Sequence, residues 1–250
     1  MIQTWAYSLI SVFIVSLISL IGVFTLSIKE NRLKNILIYF VSFSAGALLG
    51  DVFIHLLPEA VKNTGFSLDI SLAVLIGIAV SFLVEKIICW RHCHLPITKS
   101  HVHRFAYMNL FGDCFHNLLD GVTIAVSFVV GVPVGIATTL AVIFHEIPQE
   151  IGDFGVLLHG GFTKQKAILY NFLTALTAVA GALISLSLSY YVENITQLIV
   201  PFAAGNFIYI AGSDLIPELH KEVKLKNGLI QLLFFILGII VMVGLLYLAE

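Results

Sequence analysis

Phe144-His145-Glu146-Ile147-Pro148-Gln149-Glu150-Ile151-Gly152-Asp153 lies in the middle of a long apolar segment. A helix facing lipid carries no such residues, because ionisable groups at that depth are costly unless something compensates them. A histidine, a glutamine and three carboxylates within three helical turns call for a common partner, and a divalent cation satisfies all of them at once. The surrounding sequence decides whether that partner has a built site.

The chain has 250 residues, of which 59% are hydrophobic and 11% charged, and its mean hydropathy is +1.01. An ordinary globular domain is about half apolar and about a quarter charged, so the excess belongs to membrane segments. The formal net charge of -2 gives no hint of a nucleic-acid partner, and no organic cofactor is expected. Three cysteines, Cys89, Cys93 and Cys114, do not make a disulfide framework.

At about 20 apolar residues per crossing, the sequence predicts an all-α polytopic bundle of eight spans. They cover Trp5–Ile28, Leu37–Leu57, Ile70–Ile88, Phe105–Val130, Val134–Leu158, Ala167–Tyr190, Thr196–Ile216 and Leu229–Leu248. The connections leave no room for a soluble domain, so residues 1–250 read as one membrane domain with a His/Cys-rich loop at 89–104. Loops after odd-numbered spans hold 12 of the 13 Lys and Arg residues, leaving Lys62 on the opposite side. The positive-inside rule then puts that side in the cytoplasm and both termini outside the cell's inner or plasma membrane.

Two internal matches organise the spans. Ala45-Gly46 with His55-Leu56-Leu57-Pro58-Glu59 corresponds to Ala204-Gly205 with Asp214-Leu215-Ile216-Pro217-Glu218, at a constant offset of 159. The second and seventh spans that carry them run in opposite directions. This is the pattern of inverted repeats, spans one to three and six to eight, around a central fourth and fifth helix. Phe115-His116-Asn117-x-x-Asp120 likewise matches Phe144-His145-Glu146-x-x-Gln149 at an offset of 29, in antiparallel neighbours.

In the fourth span, Asp113, His116, Asp120, Thr123 and Ser127 fall on one stripe, flanked by Asn117. In the fifth, His145 and Gln149 share a face with Asp153, and Glu146 and Glu150 form the adjacent row. Packed together, the two helices bring His116, Asp120, His145 and Glu146 or Gln149 around one point. Imidazole nitrogen with carboxylate oxygen suits zinc, iron or manganese better than calcium or magnesium. Two carboxylates against a dication leave the loaded site near neutral. Pro148 removes the hydrogen bond to the Phe144 carbonyl, which is expected to line a cavity, whereas Pro58 and Pro217 read as ordinary helix ends. Asp51 and His55 in the second span, and Asp214 in the seventh, are expected to act as entrance and exit relays. The loop residues Cys89, His92, Cys93, His94, His101 and His103 read as a weak metal-holding tract.

His116-Asn117-x-x-Asp120-Gly121 followed by His145-Glu146-Ile147-Pro148-Gln149-Glu150-Ile151-Gly152-Asp153 resembles the ZIP family of divalent-metal transporters, in a prokaryotic-type form. The likeness extends to the eight spans, the outside termini, the His-rich loop and the Leu-Pro-Glu ending of the second span, with Ile-Pro-Glu in the seventh. It implies transport of Zn2+, or of Fe2+ or Mn2+, toward the cytoplasm by a homodimer in lipid. It also implies a two-metal site, with His116, Asp120, His145 and Gln149 around one ion. Asn117, Glu146 and Asp120, joined by Asn171, would surround the other. The branch it most resembles has a second histidine where this chain has Gln149.

The alternative is an intramembrane metalloprotease, since His145-Glu146-x-x-Gln149 is one residue away from H-E-x-x-H. The missing second histidine and the idle inverted repeats argue against it. A metal sensor or structural subunit would bind the ion without moving it. The expectation is a transporter, not an enzyme.

Overall fold

A computed structural model describes residues 2–25, 30–62, 65–89, 104–191 and 196–247. These residues are helical apart from short connections. Among them, seven helical segments are long and apolar enough to cross a membrane. The helix Val132–His159 has 28 residues, ample for a crossing, but its ionisable motif lowers its hydropathy below theirs. With it, the described spans number eight, as the sequence predicts. The protein is therefore a polytopic integral membrane bundle. The His/Cys-rich loop, with the side chains of Cys89, His92, Cys93, His94, His101 and His103, lies outside the described residues.

The second span packs most closely on the eighth, the third on the seventh, and the fourth on the sixth and fifth. Exchanging one inverted repeat for the other turns the first of these pairs into the second, so the packing has the symmetry that the offset of 159 implies. Glycines make the correspondence concrete. A Cβ on Gly46 would lie 2.0 Å from the Phe235 carbonyl oxygen, and one on Gly205 would lie 2.1 Å from that of Val74. From the facing helices, a Cβ on Gly238 would meet the Phe43 carbonyl at 2.2 Å and one on Gly77 that of Phe202 at 2.1 Å. Phe43 and Phe202 are again 159 residues apart. Lipid tails are as apolar as leucine, so membrane helices associate through such close backbone approach.

The prolines behave differently from the sequence expectation. Pro58 does not end the second span: a π-helical turn, Val52–Leu56, precedes it, and helix continues over Leu57–Val61. The seventh span repeats this with the π turn Ile210–Leu215 before Pro217, followed by Ile216–Leu219. A π turn absorbs one extra residue, so the helix carries the proline without breaking. His55 and Asp214, the two polar residues of the repeat motif, sit inside these wide turns. Pro148 lies within the unbroken fifth helix. The Phe144 carbonyl that it frees accepts a 2.5 Å hydrogen bond from the Ser44 hydroxyl of the second span.

Candidate metal centre

The fourth helix, Arg104–Val130, and the fifth, Val132–His159, are joined at Gly131 and lie antiparallel. Gly121 and Gly181 let the fourth helix and the sixth span touch backbone to backbone, at Ala178 and Leu118. This packing buries the polar stripe. Thr123 and Ser127 spend their hydroxyls on the carbonyls of Leu119 and Thr123 in their own helix, so the stripe is closed off above Asp120. Its chemical end is the other one.

There His116, Asp120, His145 and Glu146 offer ligand atoms that all lie within 4.8 Å of one another. His145 Nε2 is 3.0 Å from Asp120 Oδ2, 3.5 Å from Glu146 Oε1 and 3.1 Å from His116 Nε2. His116 Nε2 is 3.2 Å from Glu146 Oε1 and 3.7 Å from Asp120 Oδ2. A tetrahedral zinc ion with nitrogen and oxygen ligands at ~2.0–2.2 Å separates its ligands by roughly 3.3–3.5 Å, inside the range of these five spacings. The carboxylate oxygens of Asp120 and Glu146 are buried with no hydrogen-bond partner despite these short approaches. They converge on a common point more than on one another. His145 Nδ1 lies 3.2 Å from the Ala141 carbonyl, which fixes its proton there and leaves Nε2 free to ligate.

His145 and Asp120 are fully buried, Glu146 nearly so, and the His116 side chain is 18% exposed. His116 is therefore the most accessible member of the group. A cavity of about 290 Å³ leads to it, lined by Glu85, Asp113, Gln149, Asp153, Asn206 and Asp214 among others. Gln149 thus borders the approach to the four-residue group. Asp153 is held at its rim by a 2.9 Å bond from the Asn109 amide.

The remaining expected residues fall into further groups. Asp51 is buried in the second span, 3.4 Å from His55 Nδ1, and accepts a 2.9 Å bond from Thr138 of the fifth. Asp113 with Asn117, and Glu150 with Asn171, form two buried amide–carboxylate pairs. The Asn117 amide donates to Asp113 at 2.7 Å and the Asn171 amide to Glu150 at 2.5 Å. Sequence reasoning missed Ser44, Thr138, Thr174, Glu85 and Tyr209, the last of which donates its hydroxyl to Glu85 across the cavity mouth. Only Glu85 carried a signal, as an acid near the end of an apolar span.

Comparison with known proteins shows the family. The family model described as ZIP Zinc transporter matches residues 2–104 and 91–246. The chain is 30% identical to zinc transporter zipt-7.1 of Caenorhabditis briggsae, over all of this chain and 80% of that one. It is 32% identical to zinc transporter YKE4 of Saccharomyces cerevisiae, over 86% of this chain and 72% of that one. It is also 36% identical to zinc transporter ZIP13 of Pongo abelii, over 81% of this chain and 65% of that one. These relatives are named as transporters, and the protease reading finds no support among them. With helices, inverted repeats, buried His/carboxylate group and sequence all in agreement, the chain belongs to the ZIP zinc transporter family.

Proposed function

We propose that this protein carries zinc across the membrane into the cytoplasm, with the ion held between the fourth and fifth helices by His116, Asp120, His145 and Glu146. The observation behind this reading is the clustering of those four ligand atoms, all within 4.8 Å of one another and with each histidine nitrogen 3.0–3.7 Å from both carboxylates, which have no hydrogen-bond partner. Two imidazoles make the site soft enough for zinc, and iron and manganese are its nearest competitors. Gln149 adds an amide oxygen at the approach and is the residue that sets selectivity among these metals.

The orientation follows from the distribution of Lys and Arg, with both termini outside and the chain in the cell's inner or plasma membrane, and movement toward the cytoplasm is what the family resemblance implies. The whole chain works as one transport domain, in lipid and as a homodimer. Asp51 with His55 relays the ion on one side of the site and Asp214 on the other. Asp113, Glu150, Asp153 and Asn171 border the pathway. Cys89, His92, Cys93, His94, His101 and His103 hold released metal. Movement comes from rocking of the inverted repeats against the fourth and fifth helices.

The test is uptake of radioactive zinc into proteoliposomes. His145→Ala and Asp120→Ala are expected to reduce it to background. Wild-type uptake in both variants would refute the site.

A further inference from the structure

The two inverted repeats pack alike, but only one of them has a polar pair at the contact. Where the third and seventh spans touch, a Cβ on Gly77 would meet the backbone nitrogen of Asn206 at 3.1 Å. Where the eighth and second touch, one on Gly238 would meet the backbone nitrogen of Ala47 at 2.7 Å. Asn206 thus answers to Ala47, 159 residues before it. Ser81, four residues past Gly77, answers to Met242, four past Gly238. Ala47 and Met242 are fully buried in the apolar core, whereas Ser81 Oγ lies 2.6 Å from Asn206 Oδ1. One turn along, Tyr209 donates its hydroxyl to Glu85, and the residues answering to these two are Gly50 and Leu246. The apolar contact holds its helices together without an amide, so packing alone does not account for Asn206.

Asn206 is 3% exposed and lines the same cavity as His116, together with Ser81. With its amide oxygen toward Ser81, its nitrogen is buried without a hydrogen-bond partner. Orphaned buried N–H groups are rarer than orphaned oxygens, and an amide's oxygen and nitrogen exchange places by a half turn. After that half turn the amide nitrogen donates to Ser81 Oγ, and the Ser81 hydroxyl donates to the Gly77 carbonyl 2.9 Å away. Both donors then have acceptors, and the atom left toward the cavity is the amide oxygen. The same space is lined by Glu85, Asp113, Asp153 and Asp214. Ionised carboxylates only accept, so they give that oxygen no partner. A dication passing through the cavity, or its water, does.

We propose that Asn206 is a ligand of the transport path, its amide oxygen taking one place in the shell of the dication as the ion passes through the cavity beside His116. The chemistry suits a passing contact. A carboxylate at that position would hold the ion by its charge, and an apolar side chain would offer nothing in exchange for a lost water. A neutral oxygen replaces one water and then releases the ion, which is what conduction past a site requires. Ser81 fixes the amide in the orientation that turns its oxygen to the path.

The inference rests on zinc transport through the His/carboxylate group. Full-length protein in proteoliposomes is assayed for radioactive zinc uptake over a range of zinc concentrations, with equilibrium zinc binding measured on the same proteins in nanodiscs. Asn206→Ala installs the residue that position 47 already carries, so the fold is expected to hold. Its uptake at low zinc is expected to fall roughly fivefold, the factor that one neutral bond of ordinary strength commands, while zinc binding at equilibrium is unchanged. Asn206→Asp keeps an oxygen toward the cavity, loses the donor to Ser81 and adds a charge. Its uptake at low zinc is expected to match or exceed that of wild type, with a lowered KM. Equal losses in the two variants would show that the amide serves only its bond to Ser81, and wild-type uptake in Asn206→Ala would show it idle; either result overturns the proposal. Should Asn206→Ala lose its bound zinc, Asn206→Asp decides alone: undiminished uptake with a lowered KM upholds the ligand, and a large loss removes it. No zinc uptake by the wild-type protein would refute the transport reading itself and the path ligand with it, whereas wild-type transport with insensitive variants refutes the ligand alone.

Discussion

The Ser44 hydroxyl and Pro148 form a pair whose energetics can be predicted from the structure. Pro148 has no N–H, so the Phe144 carbonyl lacks its helical partner one turn along. Ser44 Oγ lies 2.5 Å from that oxygen and 2.7 Å from the Phe40 carbonyl of its own helix. One hydroxyl carries one proton. Phe40 O lies where the backbone N–H of Ser44 already serves it, whereas Phe144 O depends on Ser44, so the proton is worth more across the interface. Ser44→Ala removes that bond from a fully buried position and leaves a carbonyl unsatisfied. The cost is about 1–3 kcal/mol for a buried acceptor in general. Measured interhelical bonds in membranes average nearer ~0.6 kcal/mol, because the unfolded chain also finds partners. About 1 kcal/mol is therefore expected. Pro148→Ala restores the N–H and satisfies Phe144 within its own helix, so Ser44→Ala in that background should cost close to nothing. The assay is a double-mutant cycle on unfolding in mixed micelles, with zinc uptake measured alongside. Equal cost of Ser44→Ala in both backgrounds would show that the hydroxyl does not serve the carbonyl that proline frees.

Three further outcomes follow from the geometry. Gln149→His adds an imidazole at the approach to His116, and zinc should then compete more strongly against iron and manganese in uptake assays; an unchanged competition profile would remove Gln149 from selectivity. Gly205→Leu places a side chain where the first atom already meets the Val74 carbonyl at 2.1 Å, so unfolding assays should read a loss of about 2–3 kcal/mol, and Gly46→Leu should cost the same by symmetry. Glu222, between the seventh and eighth spans, accepts bonds from the Asn227 amide at 2.7 Å and the Lys224 N–H at 2.9 Å, which hold its carboxyl below the usual range. The contact's contribution is present above the ordinary carboxylate pKa and is lost as pH falls through the lowered one; Asn227→Ala should raise the Glu222 value in a carbon-13 titration.

Much of this was legible in the sequence because a membrane makes polar residues conspicuous. His116, Asp120, His145 and Glu146 stand out against apolar neighbours, and helical spacing alone puts each pair on one face. The repeat offset of 159 was readable for the same reason, since the Pro-Glu endings punctuate long apolar runs. What the sequence did not reveal depends on contacts between helices. Ser44 and Thr138 look like ordinary small residues of a span until their partners, Phe144 and Asp51, arrive from another helix. Gly46 and Gly205 were legible as a repeat, but not as the points where backbones touch. The prolines at 58 and 217 read as stops because spacing counts residues by the α-helical turn, and a π turn breaks that count by one. Thr123 and Ser127 extend the polar stripe on paper, yet bond back to their own helix, so the stripe has one working end. Gln149 departs from the family pattern, and its place in the lining of the cavity beside His116 became visible only with the fifth helix packed.

The central claim is that one zinc ion sits between the fourth and fifth helices on His116, Asp120, His145 and Glu146. Crystals of the protein grown with one equivalent of zinc, measured above and below the zinc absorption edge, locate the ion directly. The expected result is a single anomalous peak within ~2.0–2.2 Å of the two Nε2 atoms and the two carboxylate oxygens. A peak on the cysteines and histidines of the loop, with none between the helices, would contradict it.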